Sequence, residues 1–126
     1  VSYSRLPEQS QQDIAYEKAK SVLSRYNAEL WRKSSDEAAV EFQDQSVDFV
    51  YIDGNHDFDT VVLDIVKYTP KVRPGGLVVI HSYFHFKAAG VVAAVDAYTR
   101  SHDINPWYVT FGIGPTAFWQ RGAERV

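Results

Sequence analysis

The sequence predicts an α/β fold: a Rossmann-like, mostly parallel sheet with flanking helices and a C-terminal antiparallel hairpin. Two short and almost fully apolar runs, residues 47–52 and 77–80, indicate buried strands. Amphipathic helical stripes separate and follow these runs, an alternation typical of a parallel, layered sheet. Apolar and polar residues that alternate around residues 112–115 predict the closing hairpin.

Length and composition restrict the class of protein. The 126 residues predict a single domain, residues 1–126, and 45% hydrophobic with 23% charged residues is ordinary for a globular fold. No Cys is present, which excludes disulfides, zinc–thiolate sites and Cys nucleophiles. A net charge of −3 argues against a nucleic-acid partner. No apolar run reaches the roughly 18 residues of a membrane span, and the start does not resemble a signal peptide. We therefore expect no membrane association and a cytoplasmic location.

The first third of the chain predicts two helices and a strand. Residues 6–27 are predicted to form a helix, because Pro7 suits a first turn and apolar residues then recur at helical spacing. Residues 29–33 predict a short strand. Ser34 and Glu37 have the spacing of a capping box and predict the start of a second helix.

The remainder of the chain predicts alternating strands and helices. A helical stripe ends before Pro70, and Pro74 and Gly75 stand where a type II turn requires them. The predicted elements are a strand at 47–52 buried on both faces, a helix at 58–68, a turn at 73–76, a strand at 77–80, a helix at 91–98 and hairpin strands at 107–111 and 116–120.

Polar residues follow both apolar strands, at the edge of a parallel sheet where ligands bind. Asp53, Gly54 and His56 follow the first strand, and His81 and Ser82 follow the second. Asp53 is a candidate to bind a metal, position a cation or accept a proton, but it equally suits capping of its own loop. Both histidines are candidate general bases or metal ligands, with a structural role as the alternative.

Other catalytic patterns find little support. Asp53, His56 and His81 form a conceivable metal set, but no H-x-x-x-H spacing supports it. No Ser lies in a G-x-S-x-G sequence. Gly75 and Gly76 precede a strand, whereas a phosphate-binding loop precedes a helix.

Two motifs carry a resemblance to a known family. Residues 46–56, SVDFVYIDGNH, and residues 71–81, KVRPGGLVVIH, flank a predicted helix. Together they resemble class I S-adenosylmethionine-dependent methyltransferases, most closely the small-molecule O-methyltransferase-like group. The resemblance covers roughly residues 10–121.

The resemblance implies S-adenosylmethionine as the methyl donor and assigns residues to its site. Asp53 and Gly54 would lie beside the donor, with His56 a possible catalytic base. Ser34 and Ser35 would fall where the family contacts adenine.

The resemblance also implies an acceptor pocket lined by residues 81–83. Ser82 stands where relatives often have Asp, which puts a divalent-metal mechanism in doubt. The family's first strand, Gly-rich loop and acidic second strand have no counterpart here. We expect the chain, which lacks Met even at position 1, to be an excerpt of a longer protein. A rearranged sheet or a partner chain are the alternatives.

Three functions follow. The leading hypothesis is methyl transfer from S-adenosylmethionine to a hydroxyl of a small-molecule acceptor, with His56 or His81 taking the acceptor's proton. The alternative is a non-catalytic methyltransferase-like binding or assembly module, which would self-associate as a homo-oligomer. A third option is a metal-dependent hydroxylase-like or hydrolase-like enzyme that uses Asp53, His56 and His81.

Overall fold

A computed structural model describes residues 9–122 of the chain, which divides into two compact units, Val1–Ser34 and Ser35–Val126. That the two units make one domain stays a prediction. Among the described residues no helix is both long enough and apolar enough to cross a membrane.

Within residues 9–34, the described part of the first unit, the chain forms one helix, α1 (Gln9–Leu23). The predicted start at Leu6 lies outside the described residues. The predicted end near Asn27 is wrong by several residues, because the Ser24 hydroxyl bonds back to the Ser21 carbonyl at 2.7 Å and a turn follows. Serine commonly competes with helical hydrogen bonding in this way.

The strand predicted at residues 29–33 is wrong, since this segment is irregular. It folds back on α1 of its own unit instead. The Arg32 guanidinium pairs with the Asp13 carboxylate and lies 4.9 Å from the centre of the Tyr16 ring. Two apolar residues without a neighbouring strand do not make a strand, and side-chain contacts determine the path of this segment.

The second unit holds most of the predicted elements. The helix predicted at 58–68 and the strand predicted at 47–52 have the expected bounds. The elements are α2 (Ser35–Ala39), β1 (Val47–Ile52), α3 (Phe58–Tyr68), a 3-10 turn (Thr69–Lys71), β2 (Val72–Ile80), α4 (Ala89–Ser101), β3 (Tyr108–Val109) and β4 (Ala117–Gln120).

The four strands form one sheet in the order β1-β2-β4-β3. β1 pairs with β2 in parallel, and β4 pairs antiparallel with both β2 and β3. The α/β class with a parallel core, flanking helices and a C-terminal antiparallel hairpin is confirmed. β2 is longer than predicted because the turn at 73–76 lies within it. There Gly75 has a φ of +82°, a conformation that glycine adopts without strain.

One face of the sheet packs against α3 and α4. Val78, Ile80 and Trp119 point from the strands into this core, where Ile65 of α3 and Val95 of α4 meet them. All five are fully buried, and the removal of their apolar surface from water stabilises the fold.

The prediction that β1 is buried on both faces is wrong. Phe49 and Tyr51 of β1 remain 61% and 51% exposed. The described residues place no strand beside the outer edge of β1, and the helices cover only the face to which Ile52 points.

Gly90, near the start of α4, allows this helix to approach the loop that follows β1. A Cβ at this position would lie 2.4 Å from the His56 carbonyl oxygen and 2.6 Å from the Phe58 nitrogen. Both are backbone atoms, so any larger residue would force the helix and the loop apart. The position of the His56 loop therefore depends on a glycine in another element.

Candidate functional site

The carboxyl ends of β1 and β2 lie side by side. Ile52 and Ile80 are registered partners, and the His81 amide donates to the Ile52 carbonyl at 3.0 Å. Asp53 and His81 follow these residues directly, so the structure brings these two predicted site residues to neighbouring positions on one edge of the sheet.

A cavity of about 260 Å³ opens beside the end of β1. It is lined by three of the residues that the resemblance assigned to the donor site, namely Ser35, Asp53 and Gly54. Its apolar lining comes from residues 50–52 of the same strand. Ser34 belongs to the other unit and does not line this cavity.

Asp64 and Tyr68, from α3, form the polar wall of the cavity. The Tyr68 hydroxyl donates to the Ser35 backbone carbonyl at 2.6 Å. Asp64 is only 8% exposed, and this burial raises the pKa of its carboxyl, although a hydrogen bond from Ser35 acts in the opposite direction. Burial likewise raises the pKa of Tyr68, as does the nearby Asp64 charge.

Neither Asp64 nor Tyr68 was predicted from the sequence. The signal was nevertheless present, because Asp64 lies three residues after Val61 and Tyr68 four residues after Asp64. This spacing places a carboxylate in the buried stripe of the helix, where an acid requires a partner or a function.

The ring of His81 contacts two residues that are distant from it in the sequence. Its Nδ1 lies 3.2 Å from Thr116 Oγ1, and its ring stacks against Tyr51 with centroids 6.0 Å apart. The ring is half-buried. His81 therefore occupies a defined position beside Asp53.

His56 lies in a loop whose contacts involve its backbone. Its amide donates to Asn55 Oδ1 at 2.8 Å. The next residue, Asp57, accepts from the Thr60 amide at 2.9 Å and thus caps α3. This hydrogen bond lowers the pKa of Asp57. In the part of the chain that the structure describes, the His56 ring has no hydrogen-bond partner.

The segment after β2 is anchored by Tyr83. Its hydroxyl donates to Asp96 Oδ1 of α4 at 2.6 Å, and its amide donates to the Pro115 carbonyl at 2.8 Å. Burial, followed by the hydrogen bond to Asp96, raises the pKa of Tyr83 to about 12. Ser82 is buried with a φ of +68°, whereas His85 is exposed.

Residues 9–122 contain no cluster of three or more His, Cys, Asp or Glu that could hold a metal ion. The conceivable set of Asp53, His56 and His81 is thus not assembled as a ligand group. Metal-dependent chemistry by these residues finds no support in their arrangement.

A larger cavity, of about 390 Å³, lies on α4 and the segment that leads to β3. Asp96, Arg100 and Trp107 are among its lining residues, and none of the predicted site residues reaches it. The smaller cavity at the sheet edge is therefore the better candidate, because the polar strand ends meet there.

The second unit has an α/β fold, and polar residues follow the carboxyl ends of its two parallel strands, where ligands bind in such sheets. The sequence profile described as a methyltransferase domain matches residues 4–83, more than half of the chain. The chain therefore belongs to the methyltransferase domain family. The resemblance to class I methyltransferases is confirmed by this match and by the fold.

Individual relatives share parts of the chain. The uncharacterized protein y4gI of Sinorhizobium fredii is 36% identical over 52 residues, which are 41% of this chain and 6% of that protein. The O-methyltransferase NovP has a similar structure, with a TM-score of 0.50 and 23% identity over 61% of this chain and 30% of that one. A protein from Corynebacterium glutamicum gives a TM-score of 0.59 and 15% identity over 91% of this chain and 57% of that one.

The chain matches only part of each of these proteins. The chain spans only 6% of the length of the Sinorhizobium protein, and 30% and 57% of the lengths of the two solved structures. At the low identities of the two structures, the similarity shows a shared fold alone.

The burial of Asp64 predicts a distinctive pH dependence. Its raised pKa means that ionisation is less favourable in the folded chain than in the unfolded chain. An ionised Asp64 therefore lowers stability, and this loss grows as the pH rises from the ordinary carboxyl pKa of about 3.9 through the folded-state pKa. Asp64→Asn should gain stability over the wild type across this window. Urea unfolding at a series of pH values measures the difference.

Asp57→Asn is the matched control on the same helix, and its effect should have the opposite sign. The lowered pKa of Asp57 stabilises the wild type above the ordinary carboxyl pKa, and this advantage is lost as the pH falls through the folded-state pKa. A stability difference between Asp64→Asn and the wild type that stays constant with pH would contradict the prediction.

Proposed function

We propose that this protein transfers a methyl group from S-adenosylmethionine to a hydroxyl of a small-molecule acceptor. The observation that carries the proposal is the meeting of Ser35, Asp53 and Gly54 in one cavity at the carboxyl edge of the sheet. Membership of the methyltransferase domain family supports the reaction class.

The cavity suits part of the donor. Its volume of about 260 Å³ is below the roughly 300 Å³ at which small-molecule sites begin, so it fits a portion such as the adenine ring. The apolar residues 50–52 provide a surface for a flat ring, while Ser35 and Asp64 offer polar atoms to its amine. We propose Asp53 and Gly54 for the adjoining part of the donor. Ser34, which belongs to the other unit, stays a prediction from the sequence.

When bound, S-adenosylmethionine supplies an electrophilic methyl group on a positively charged sulfur. The residues of the chain would hold the acceptor in line with that group and receive its proton, since positioning supplies much of the rate in such a transfer. We propose residues 81–83 as the acceptor side, because they adjoin the cavity strand at the same sheet edge.

His81 is our preferred proton acceptor, with His56 as the alternative. The ring of His81 is held by Thr116 and Tyr51 and directly follows a strand, and general bases act from such defined positions. The His56 loop is anchored through its backbone and through Asp57.

Titration of the chain with S-adenosylhomocysteine tests the donor site without knowledge of the acceptor. We expect binding at micromolar strength and a loss of about tenfold or more in Asp53→Asn, because a hydrogen bond to a charged group contributes about 1.5–3 kcal/mol. The matched control is Asp59→Asn, which also removes one carboxylate charge, but from a residue of α3 that does not line the cavity. This variant should bind S-adenosylhomocysteine like the wild type. A folded chain that does not bind the ligand would refute the proposed donor site.

Substitution of the histidines tests proton acceptance. With a panel of phenolic acceptors, His81→Ala should lower turnover by about 100-fold or more, the usual contribution of a general base. The exposed His85 is the matched control, and His85→Ala should keep wild-type turnover. If His56→Ala is impaired and His81→Ala is not, the base is His56.

A non-catalytic assembly module is the second candidate, and the exposed side chains of β1 favour it. Phe49 and Tyr51 lie on an edge strand, a position open to pairing with another chain. Such a module should show a mass in sedimentation that rises with concentration, and Phe49→Lys should return it to a monomer. Ile113→Lys, at the fully exposed hairpin tip, should not. A monomer at every concentration would exclude self-assembly through this edge.

A further inference from the structure

The hairpin between β3 and β4 places the Thr116 hydroxyl beside the His81 ring. Thr116 Oγ1 lies 3.2 Å from His81 Nδ1, in a half-buried position. Thr116 is itself fixed, because its amide donates to Thr110 Oγ1 at 2.9 Å and its carbonyl accepts from the Thr110 amide at 2.9 Å. The contact between Thr116 and His81 joins residues 35 positions apart in sequence.

The other edge of the His81 ring is left open. Nε2 has no hydrogen-bond partner among residues 9–122. Gly114 lies beside it, and a Cβ at this position would be 3.4 Å from Cε1 and 3.8 Å from Nε2. A longer side chain there would extend across the Nε2 edge. Gly114 has a φ of +77°, so the turn itself also favours glycine.

We propose that Thr116 is a positioning residue that sets the tautomer of His81. A neutral imidazole has one N–H donor and one bare nitrogen. The Thr116 hydroxyl can either accept from Nδ1–H or donate to a bare Nδ1, and only the first arrangement leaves Nε2 bare to take a proton. With Nδ1–H donating to Thr116 Oγ1, Nε2 is the bare nitrogen, on the edge that Gly114 leaves open.

The same hydrogen bond suits both charge states of the ring. The O–H proton of an acceptor passes to Nε2 as the acceptor oxygen forms its bond to the methyl carbon and the sulfur–methyl bond breaks. His81 then carries a proton on each nitrogen, and Nδ1–H still donates to Thr116. The proton leaves Nε2 to water before the next turnover.

This inference rests on the proposed function, because it assigns a partner to the proposed proton acceptor. It is carried by the hairpin, which lies beyond residues 4–83, the segment that the family profile matches. The hydrogen bond can nevertheless be tested without any methyl transfer.

Long-range ¹H–¹⁵N spectra of the labelled chain report the tautomer of each histidine ring. In the neutral ring, His81 should be mainly the Nδ1–H tautomer. Thr116→Val should abolish this preference, and Thr116→Ser should retain it. Tyr108→Phe is the matched control, because it removes a hydroxyl from the same hairpin at a residue that does not hydrogen-bond to His81 or Thr116.

Each result decides the inference. An Nε2–H tautomer in the wild type, or a preference unchanged in Thr116→Val, would overturn it. Equal loss in Tyr108→Phe and Thr116→Val would also overturn it, because hairpin geometry and not the Thr116 hydroxyl would then be responsible. Binding of S-adenosylhomocysteine together with a failed tautomer test refutes the inference alone. The expected tautomer in a folded chain that does not bind this ligand refutes the proposed function, and with it the role of Thr116 in methyl transfer.

Discussion

The parallel pairing of β1 with β2 is the constraint on which the site depends. Registered from Phe49 with Leu77 to Ile52 with Ile80, the two strands end at the same level. The hydrogen bond from the His81 amide to the Ile52 carbonyl extends the pairing by one residue. Asp53 and His81 are thus adjacent as a consequence of backbone geometry, before any side-chain interaction is considered. A shift of one residue would turn every side chain of β1 to the opposite face.

The helices add chemistry to this edge while they cover the core. α3 buries Val61 and Ile65 on the sheet, and the same stripe carries Asp64 and Tyr68 to the cavity. The cost of burying a carboxyl is offset in part by the hydrogen bond from Ser35. The same face of α3 therefore carries apolar residues that stabilise the fold and a buried carboxyl that lowers its stability. Such a conflict is common at functional sites.

Local pattern was sufficient for much of the second unit. The strand at 47–52 and the helix at 58–68 have the bounds that their apolar runs predicted, because packing on one core imposes both patterns. The placement of Asp53 and His81 at one edge followed from the same reasoning. The prediction of a strand at 29–33 was wrong because such a segment needs a neighbouring strand to stabilise it. The burial of β1 was overestimated because β1 lies at the edge of the described sheet. The contact of Thr116 with His81 depends on how the chain returns to the sheet, which no local window reveals.

The reversed direction of β4 has a consequence for how such a site diversifies. Because β4 runs antiparallel to β2, the loop before it arrives at the edge where β2 ends. One side of the surroundings of His81 is thus encoded near residues 110–116, and the cavity wall near residues 35–68. Insertions or exchanges in the hairpin tip, where Ile113 is fully exposed, would remodel one half of the site and leave the other half and the core intact. The two halves share Tyr51, which stacks against His81 and lines the cavity, but the hairpin tip itself can change in evolution without altering the cavity wall.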